Sequence, residues 1–185
     1  SMAEDIRQAE EEAIEQNQLQ LNEDQALFVK NAGMVILNPY LVRLFKRFNL
    51  IEGKEFKDAA AKEKGVYLLQ YLVKKSTEPE EYELSLNKLI CGIPLGVPLK
   101  AEFNLSDEDK EICDGLLDAL VSNWGALKNT SADGLRTSFL MREGTLRKEA
   151  TGWKLHIEKK TYDILLEKLP WGYSMIQLPW MELPL

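Results

Sequence analysis

Apolar residues recur at helical spacing through most of the chain and alternate only late in it, with cap and turn residues in the breaks. From about Leu21 the chain becomes globular in character. The run from Phe28 to Leu37 is apolar around Asn31 and Gly33, and its period fits a strand or the buried end of a helix equally well. Asn38-Pro39 reads as a helix start, cap residue first and proline at the first helical position. Leu41, Leu44, Phe45 and Phe48 then share a face, with Arg43, Lys46 and Arg47 turned away from it. A second helix is predicted from about Phe56 to Lys74. Thr77-Glu-Pro-Glu80 reads as a capping box opening a helix with inner face Tyr82, Leu86, Leu89 and Ile90, stopped by Gly92 and Pro94. Ile93 to Ala101 is a loop or an extended piece.

Ser106-Asp-Glu-Asp109 opens the clearest helix, with acids in the first turn where the helix dipole favours them. Its ridges are Ile112, Leu116, Leu120, Trp124 and Cys113, Leu117, Val121, and it ends near Gly125. Asn129-Thr-Ser131 is turn and cap chemistry before a short helix carrying Leu135, Phe139 and Leu140. After Gly144 the period changes to two. Thr145 to Glu149 and Trp153 to Glu158, joined by Ala150-Thr-Gly152, read as a β-hairpin. Trp153, Leu155 and Ile157 fall on one side, and Lys154, His156 and Glu158 on the other. A short helix is predicted from about Tyr162 to Leu169. The chain closes with Leu169-Pro-Trp171 and Leu178-Pro-Trp180 around a piece that reads as a strand. The predicted class is α+β and helix-rich, with five to six helices and a small antiparallel hairpin or sheet near the C-terminus.

Charge divides the chain in two. The net charge is −7, from 23 basic and 30 acidic residues. The first 24 residues hold eight acids against Arg7, so that stretch is itself −7 and the rest is neutral. Residues 1–21 therefore read as an acidic arm, helical or disordered, with a thin stripe of Ile6, Ala9, Ala13 and Ile14, and residues 22–185 as a single globular domain. Ser1-Met2 reads as a remnant of expression. A neutral body with an acidic arm is a poor match for nucleic acid, which needs clustered Lys and Arg. No run approaches the ~20 apolar residues of a membrane helix, and no basic-then-apolar secretory segment opens the chain.

Candidate chemistry is sparse. The chain has two cysteines and one histidine. Cys113 lies on an apolar helix ridge and reads as a small buried hydrophobe. Cys91 sits at a helix C-terminus, the wrong pole for a thiolate. His156 falls on the polar side of a strand. A hydrolase built on Cys91 and His156 would need both within hydrogen-bond reach in one cleft. Neither a zinc set nor a phosphate-cradling loop is present in the sequence: Gly92-Ile-Pro-Leu-Gly96 lacks a following Lys-Ser or Lys-Thr. No catalytic, cofactor-binding or metal residue is assigned. Trp124 to Ser131 and the double Leu-Pro-Trp tail place large aromatics beside Gly or Pro, either as core anchors at tight turns or as a partner-binding surface. Arg136, Arg142, Arg147 and Lys148 form a local basic group, read as a solvated face or a contact for acidic protein surfaces.

Five ordered blocks carry a resemblance. They are Asn31-Ala-Gly-Met-Val-Ile-Leu-Asn-Pro39 with Leu44-Phe45; Tyr82-Glu-Leu-Ser-Leu-Asn-Lys-Leu-Ile-Cys-Gly92; Trp124-Gly-Ala-Leu-Lys-Asn-Thr-Ser131; Leu135-Arg136, Phe139-Leu140 and Arg142-Glu-Gly144; and Leu169-Pro-Trp-Gly172 through Leu178-Pro-Trp180. Together they resemble the C-terminal region of contractile injection system tape measure proteins, of phage-tail-like particles of the anti-feeding-prophage type. The long region expected before that domain is absent, which reads as a fragment or a short member. The resemblance implies a non-enzymatic assembly role without cofactor or small-molecule substrate. A compact domain of this length has a radius of gyration of roughly 16 Å and cannot be the ruler itself. It would anchor one end of the ruler, docking on baseplate, spike or inner-tube proteins through Trp124, Asn129, Arg136, Arg142, Trp171, Tyr173 and Trp180. It would be assembled in the cytoplasm and carried in the particle. The readings left beside it are a general protein-binding adaptor or chaperone, and the Cys91/His156 hydrolase.

Overall fold

The acidic arm carries helix α1 (Met2–Leu19), exposed from Met2 to Glu10. The fold is that of a computed structural model, which describes residues 1–19, 26–76 and 78–185. The apolar run that fits strand or helix is both in succession. Ala26–Val29 forms strand β1, and Ala32–Leu37 winds into a 3-10 helix that runs straight into α2 (Asn38–Arg47). Because the chain enters α2 already helical, Asn38 is not its cap. Its side-chain amide instead donates to the carbonyls of Val35 at 2.8 Å and Gly172 at 2.9 Å. Leu41, Leu44 and Phe45 are buried, and Arg43, Lys46 and Arg47 are exposed.

A small hairpin, β2 (Ile51–Glu52) and β3 (Glu55–Phe56), precedes the second long helix. Its two-residue turn needs the left-handed backbone of Gly53, φ 63°. Phe56 therefore belongs to a strand and not to the helix predicted over it. Helix α3 (Ala59–Lys74) starts where the Asp58 carboxylate accepts from the Ala61 N–H at 2.7 Å. From Gly65 to Val73 every residue of α3 is buried, which makes it the central element, packed by α4 and α5.

Helix α4 (Ser85–Cys91) is entered through a 3-10 turn, Glu81–Leu84. The capping box is formed by Glu80 and Glu83; of the predicted box at Thr77, Thr77 itself lies outside the described residues. The tighter 3-10 turn rotates the start of this segment relative to an α-helical wheel. Tyr82, predicted on the inner face, is accordingly 76% exposed, and the buried set is Leu84, Leu86, Asn87 and Ile90. Gly92 closes the helix in the left-handed conformation.

Helix α5 (Asp107–Asn123) has the capping box its sequence announces: Ser106 Oγ accepts from Asp109 N–H, and the Asp109 carboxylate from Ser106 N–H, each at 3.1 Å. Its buried stripe is Cys113, Leu117, Leu120 and then Trp124, while Ile112 and Leu116 stay partly exposed. Ser131 caps α6 (Ala132–Leu135), which continues into a π-helical turn, Arg136–Leu140.

The hairpin is β4 (Gly144–Glu149) and β5 (Gly152–Ile157). Strand β1, distant in sequence, joins it to give an antiparallel sheet of order β1-β4-β5. Leu27, Leu146 and Leu155 align across the inner face, and Phe28, Thr145 and His156 across the outer. The tail holds a 3-10 helix (Asp163–Lys168), and no strand forms in 172–177. Ile176 and Leu185 exchange two backbone hydrogen bonds, at 3.0 and 2.8 Å, and Trp153 N–H donates to the Pro184 carbonyl at 3.1 Å. The segment is a strap laid along the body, not a ladder. One apolar cluster runs from Val29 to Leu178. The fold is α+β and helix-rich, with six α-helical segments among the described residues.

A Cβ on Gly33 would lie 1.8 Å from the Phe139 carbonyl oxygen and 2.6 Å from Leu140 Cα. Gly33→Ala is expected to lower stability by more than about 2 kcal/mol in chemical denaturation, because both obstructing groups are backbone and cannot rotate aside.

Candidate functional site

Each tail tryptophan reaches inward and ends on a backbone carbonyl. Trp171 Nε1–H donates to Ile36 at 2.8 Å and its ring meets Tyr40 edge-on at 5.4 Å. Trp180 Nε1–H donates to Ile90 at 2.6 Å, with its ring against Phe45 and Phe56. Trp124 is fully buried, its Nε1–H donates to Leu165 at 3.0 Å, and it packs on Phe139. All three carbonyls lie in helical segments, and that of Ile90, in the last turn of α4, is one a helix leaves unpaired. Tyr173 is half-buried on the strap, beside Met175, which is 76% exposed.

The two arginines expected at the surface lie inside, each 3% exposed. Arg136 Nε–H donates to the Leu72 carbonyl at 2.8 Å, Nη1 to Asp133 at 2.8 Å and Nη2 to Asp114 at 2.6 Å, with the guanidinium over the Tyr71 ring. Arg142 donates from Nη1 to Asp163 Oδ2 at 2.8 Å and places Nη2 2.6 Å from Oδ1. It also donates to the Ser138 carbonyl, and its guanidinium lies over the Phe139 and Tyr162 rings, which meet each other edge-on. Hydrogen bonds from Arg142, ahead of the opposing cost of burial, hold the Asp163 carboxyl below the usual carboxylate range. The basic group Arg136, Arg142, Arg147 and Lys148 is thus not one surface patch: two of its members are consumed by internal acids. Asn129 is exposed at a left-handed turn, φ 62°, a conformation asparagine tolerates. The structure places Asn129 at an exposed turn, Trp171, Tyr173 and Trp180 on the strap, and Trp124, Arg136 and Arg142 buried in the body.

One polar cluster escaped the sequence reading. Asn31, Gln70 and Asn87 are fully buried side by side. Asn31 Nδ2–H donates to Gln70 Oε1 at 3.0 Å and to Asn87 Oδ1 at 2.8 Å, and Asn87 Nδ2–H to the Val66 carbonyl at 3.0 Å. These amides tie the start of the 3-10 helix to α3 and α4. The signal was Gln70, a lone polar residue inside the apolar run Val66 to Val73.

Cys91 is fully buried at the end of α4, and burial raises its thiol pKa far above neutrality. Burial likewise pushes Cys113 up to about 12. His156 is exposed on β5, and no described hydrogen bond joins it to Cys91. Among the described residues no group of three or more His, Cys, Asp or Glu converges as a metal would require, and no helix is long and apolar enough to cross a membrane.

The pairs predict two behaviours. Asp163 titrates below its unfolded value of 3.8, so its contribution is full above that pH and is lost as pH falls through the folded value. Asp163→Asn should therefore lower stability at neutral pH and flatten the acid limb of a pH–denaturation series. The two thiols should resist iodoacetamide in native protein at pH 8 and both react in guanidinium, read by intact mass; rapid native alkylation of Cys91 would contradict its burial.

Comparison with curated proteins and with solved structures returned no match. A family model does match: that of the contractile injection system tape measure protein, over residues 1–185, the whole length of the chain. With arm and body both inside the match, this chain belongs to the contractile injection system tape measure protein family.

Proposed function

We propose that this chain is a non-enzymatic structural element of an injection particle, the terminal anchor of a tape measure protein that sets tube length. The observation that carries the reading is the family match, which takes in the acidic helix and the folded body together. Residues 1–21 act as the arm that leads toward the ruler, and residues 22–185 as one globular anchor. An 18-residue helix adds about 27 Å of reach, whereas the body has the long-range core of a docking domain. The docked partners are baseplate, spike or inner-tube proteins. Assembly takes place in the cytoplasm, and the anchor stays within the particle.

On this reading the contact face is the strap and the neighbouring turn. Tyr173, exposed Met175 and exposed Asn129 make contact; Trp171 and Trp180 hold the strap from below, and Trp124, Arg136 and Arg142 are buried in the body. Buried side chains of this kind decide where the exposed ones stand, and half-buried aromatics dominate interface energetics. The high pKa of the buried Cys91 thiol supports a role without nucleophilic chemistry.

Deleting the gene and imaging particles by electron microscopy tests the assembly role. Absent particles or altered tube lengths are expected; unchanged particles would favour an adaptor or chaperone. Tyr173→Ala with Met175→Asp should abolish capture of particle proteins while the melting temperature changes little. Trp180→Ala should instead lower stability by about 3 kcal/mol. Retained capture by the Tyr173/Met175 variant moves the docking face elsewhere.

A further inference from the structure

Strand β5 is an edge of the sheet β1-β4-β5, and its outer side is only partly used. Glu158 N–H donates toward β4, to the Glu143 carbonyl, whereas Trp153 N–H donates away from it, to the Pro184 carbonyl at 3.1 Å. Strand alternation then turns the backbone groups of Leu155 and Ile157, like those of Trp153, away from β4. Neither of their N–H groups meets an acceptor among the described residues. Unpaired donors and acceptors along an edge are a template for another strand.

The tail already adds to this edge. Pro184 takes the Trp153 N–H on one side, and Leu185 exchanges two hydrogen bonds with Ile176 of the strap on the other. The space between β5 and the strap is therefore one strand wide where Pro184 and Leu185 fill it. Adjoining them, between Leu155–Ile157 and Tyr173–Met175, lies an open cleft of about 520 Å³. Buried Val35 and Ile176 line its apolar side. Lys154 and Lys159 stand exposed on its rim, and neither pairs with an acid among the described residues. The acid on the rim, Glu149, is opposite Gly152, where a Cβ would lie 2.5 Å from the Pro184 carbonyl oxygen. It thus flanks the end that the tail fills, and the open stretch is basic.

We propose that this cleft receives an extended acidic segment of a partner protein, which adds to β5 as a strand beside Leu155 and Ile157. The proposal rests on the strap being part of the contact face and adds the form and chemistry of what docks there. Main-chain hydrogen bonds to the edge supply the attachment, and alternate side chains supply selection. Side chains on the Leu155 side of the added strand meet Val35 and Ile176 and are apolar. Those on the Lys154 side stand beside the unpaired lysines and are acidic. Continuity with the pairing made by Pro184 and Leu185 favours a strand over a helix. Edge-to-edge pairing with a second copy is disfavoured, because it would bring a second Lys154 and Lys159 to the same rim.

The probes are two capped seven-residue peptides, Thr-Glu-Val-Glu-Val-Glu-Thr and its counterpart with lysine for glutamate. Each is titrated into the full chain and followed by NMR hydrogen exchange. At four times its Kd the acidic peptide should slow exchange of the Leu155 and Ile157 amides about fivefold. The amides of Lys154 and His156, on the side paired with β4, should not change. Lys154→Glu with Lys159→Glu, both at exposed positions, should keep the fold by circular dichroism, weaken the acidic peptide about tenfold and let the lysine peptide bind instead. No slowing at Leu155 and Ile157, or equal slowing by both peptides on the unmodified chain, would overturn the proposal. So would slow exchange there before any peptide is added, which gives the edge to the chain itself, or to a second copy where the light-scattering mass is near twice 21.2 kDa. No particle protein enters these readouts. If they fail while the Tyr173/Met175 variant still loses capture, the strap stands as a contact face and the added strand alone is lost.

Discussion

Two stretches of backbone meet in this protein with no side chain between them, and the rest of the body is arranged around that seam. Gly33 faces the carbonyl of Phe139, and a Cβ on Gly144 would lie 2.8 Å from Ala32 Cβ and 3.0 Å from the His156 carbonyl. Ala32 N–H donates to the Arg142 carbonyl at 2.9 Å, and β1 completes the β4-β5 hairpin on the same line. Such an approach is open only to glycine. It closes a loop of more than a hundred residues, whose ordering entropy is offset by what the seam allows: the 3-10 helix sinks entirely into the core, and the buried amides of Asn31, Gln70 and Asn87 lock it to α3 and α4. A chain with larger residues at positions 33 and 144 would lose the sheet and the central packing together.

The local parts of this arrangement were readable from the sequence and the seam was not. The α5 capping box, the Gly92 stop, the Ser131 cap and the alternation of β5 follow from residue chemistry within a few positions, and they stand where the pattern puts them. Errors fell where a short-range rule met a long-range partner. Asn38 has the chemistry of a cap, but the helix before it removes the vacancy a cap would fill. Tyr82 has the right spacing for an inner face on an α-helix and the wrong one on a 3-10 turn. The Glu52-Gly-Lys-Glu55 hairpin has only two residues per strand, too few for a period to register. The tail has alternation enough for a strand, but it lies against side chains and carbonyls that offer no continuous ladder. The candidate site shows the same division. Its aromatics were visible, whereas Asp114 and Asp163, which hold Arg136 and Arg142, lie 22 and 21 residues away, beyond any local pattern; only Asp133, three residues before Arg136, was within local reach.

The three inward indoles explain why a tail with little regular structure holds its place. Each donates to a carbonyl of a helical segment elsewhere in the chain: Ile36 lies near the end of the first 3-10 helix, Ile90 one residue from the end of α4, and Leu165 in the tail 3-10 helix. The Ile90 carbonyl, in the last turn of α4, lacks an intrahelical partner, so that bond satisfies an acceptor that water would otherwise serve, and at all three sites the ring adds apolar burial. Leu-Pro-Trp suits this use. The proline restricts the backbone just before the indole, which reduces the entropy lost when the strap is fixed. The two copies of the motif therefore act as staples at either end of the strap; between them Gly172, Ser174, Met175 and Gln177 face outward, Tyr173 is half-buried and Ile176 is buried.

Charge is handled in the opposite way on body and arm, and this constrains the kind of contact each can make. In the body the most enclosed cations are neutralised internally: Arg136 by Asp114 and Asp133, Arg142 by Asp163, and Lys88 by Glu81 with the Val97 carbonyl. Breaking such a pair is costly because it strands a charge away from water, so these groups are fixed to the fold and do not supply a movable electrostatic surface. Between Trp171 and Leu178 what remains outward on the strap is uncharged: Gly172, Ser174, Met175 and Gln177 are exposed and Tyr173 is half-buried. A contact there would rest on shape, hydrogen bonds and apolar burial, which are short-ranged and only weakly sensitive to salt. The arm is the reverse, with its excess acids on one 18-residue helix and a field that reaches about a Debye length, roughly 8 Å at physiological ionic strength. The body is thereby suited to fixed, close contact and the arm to directed but screenable contact, so ionic strength is the variable that separates the two.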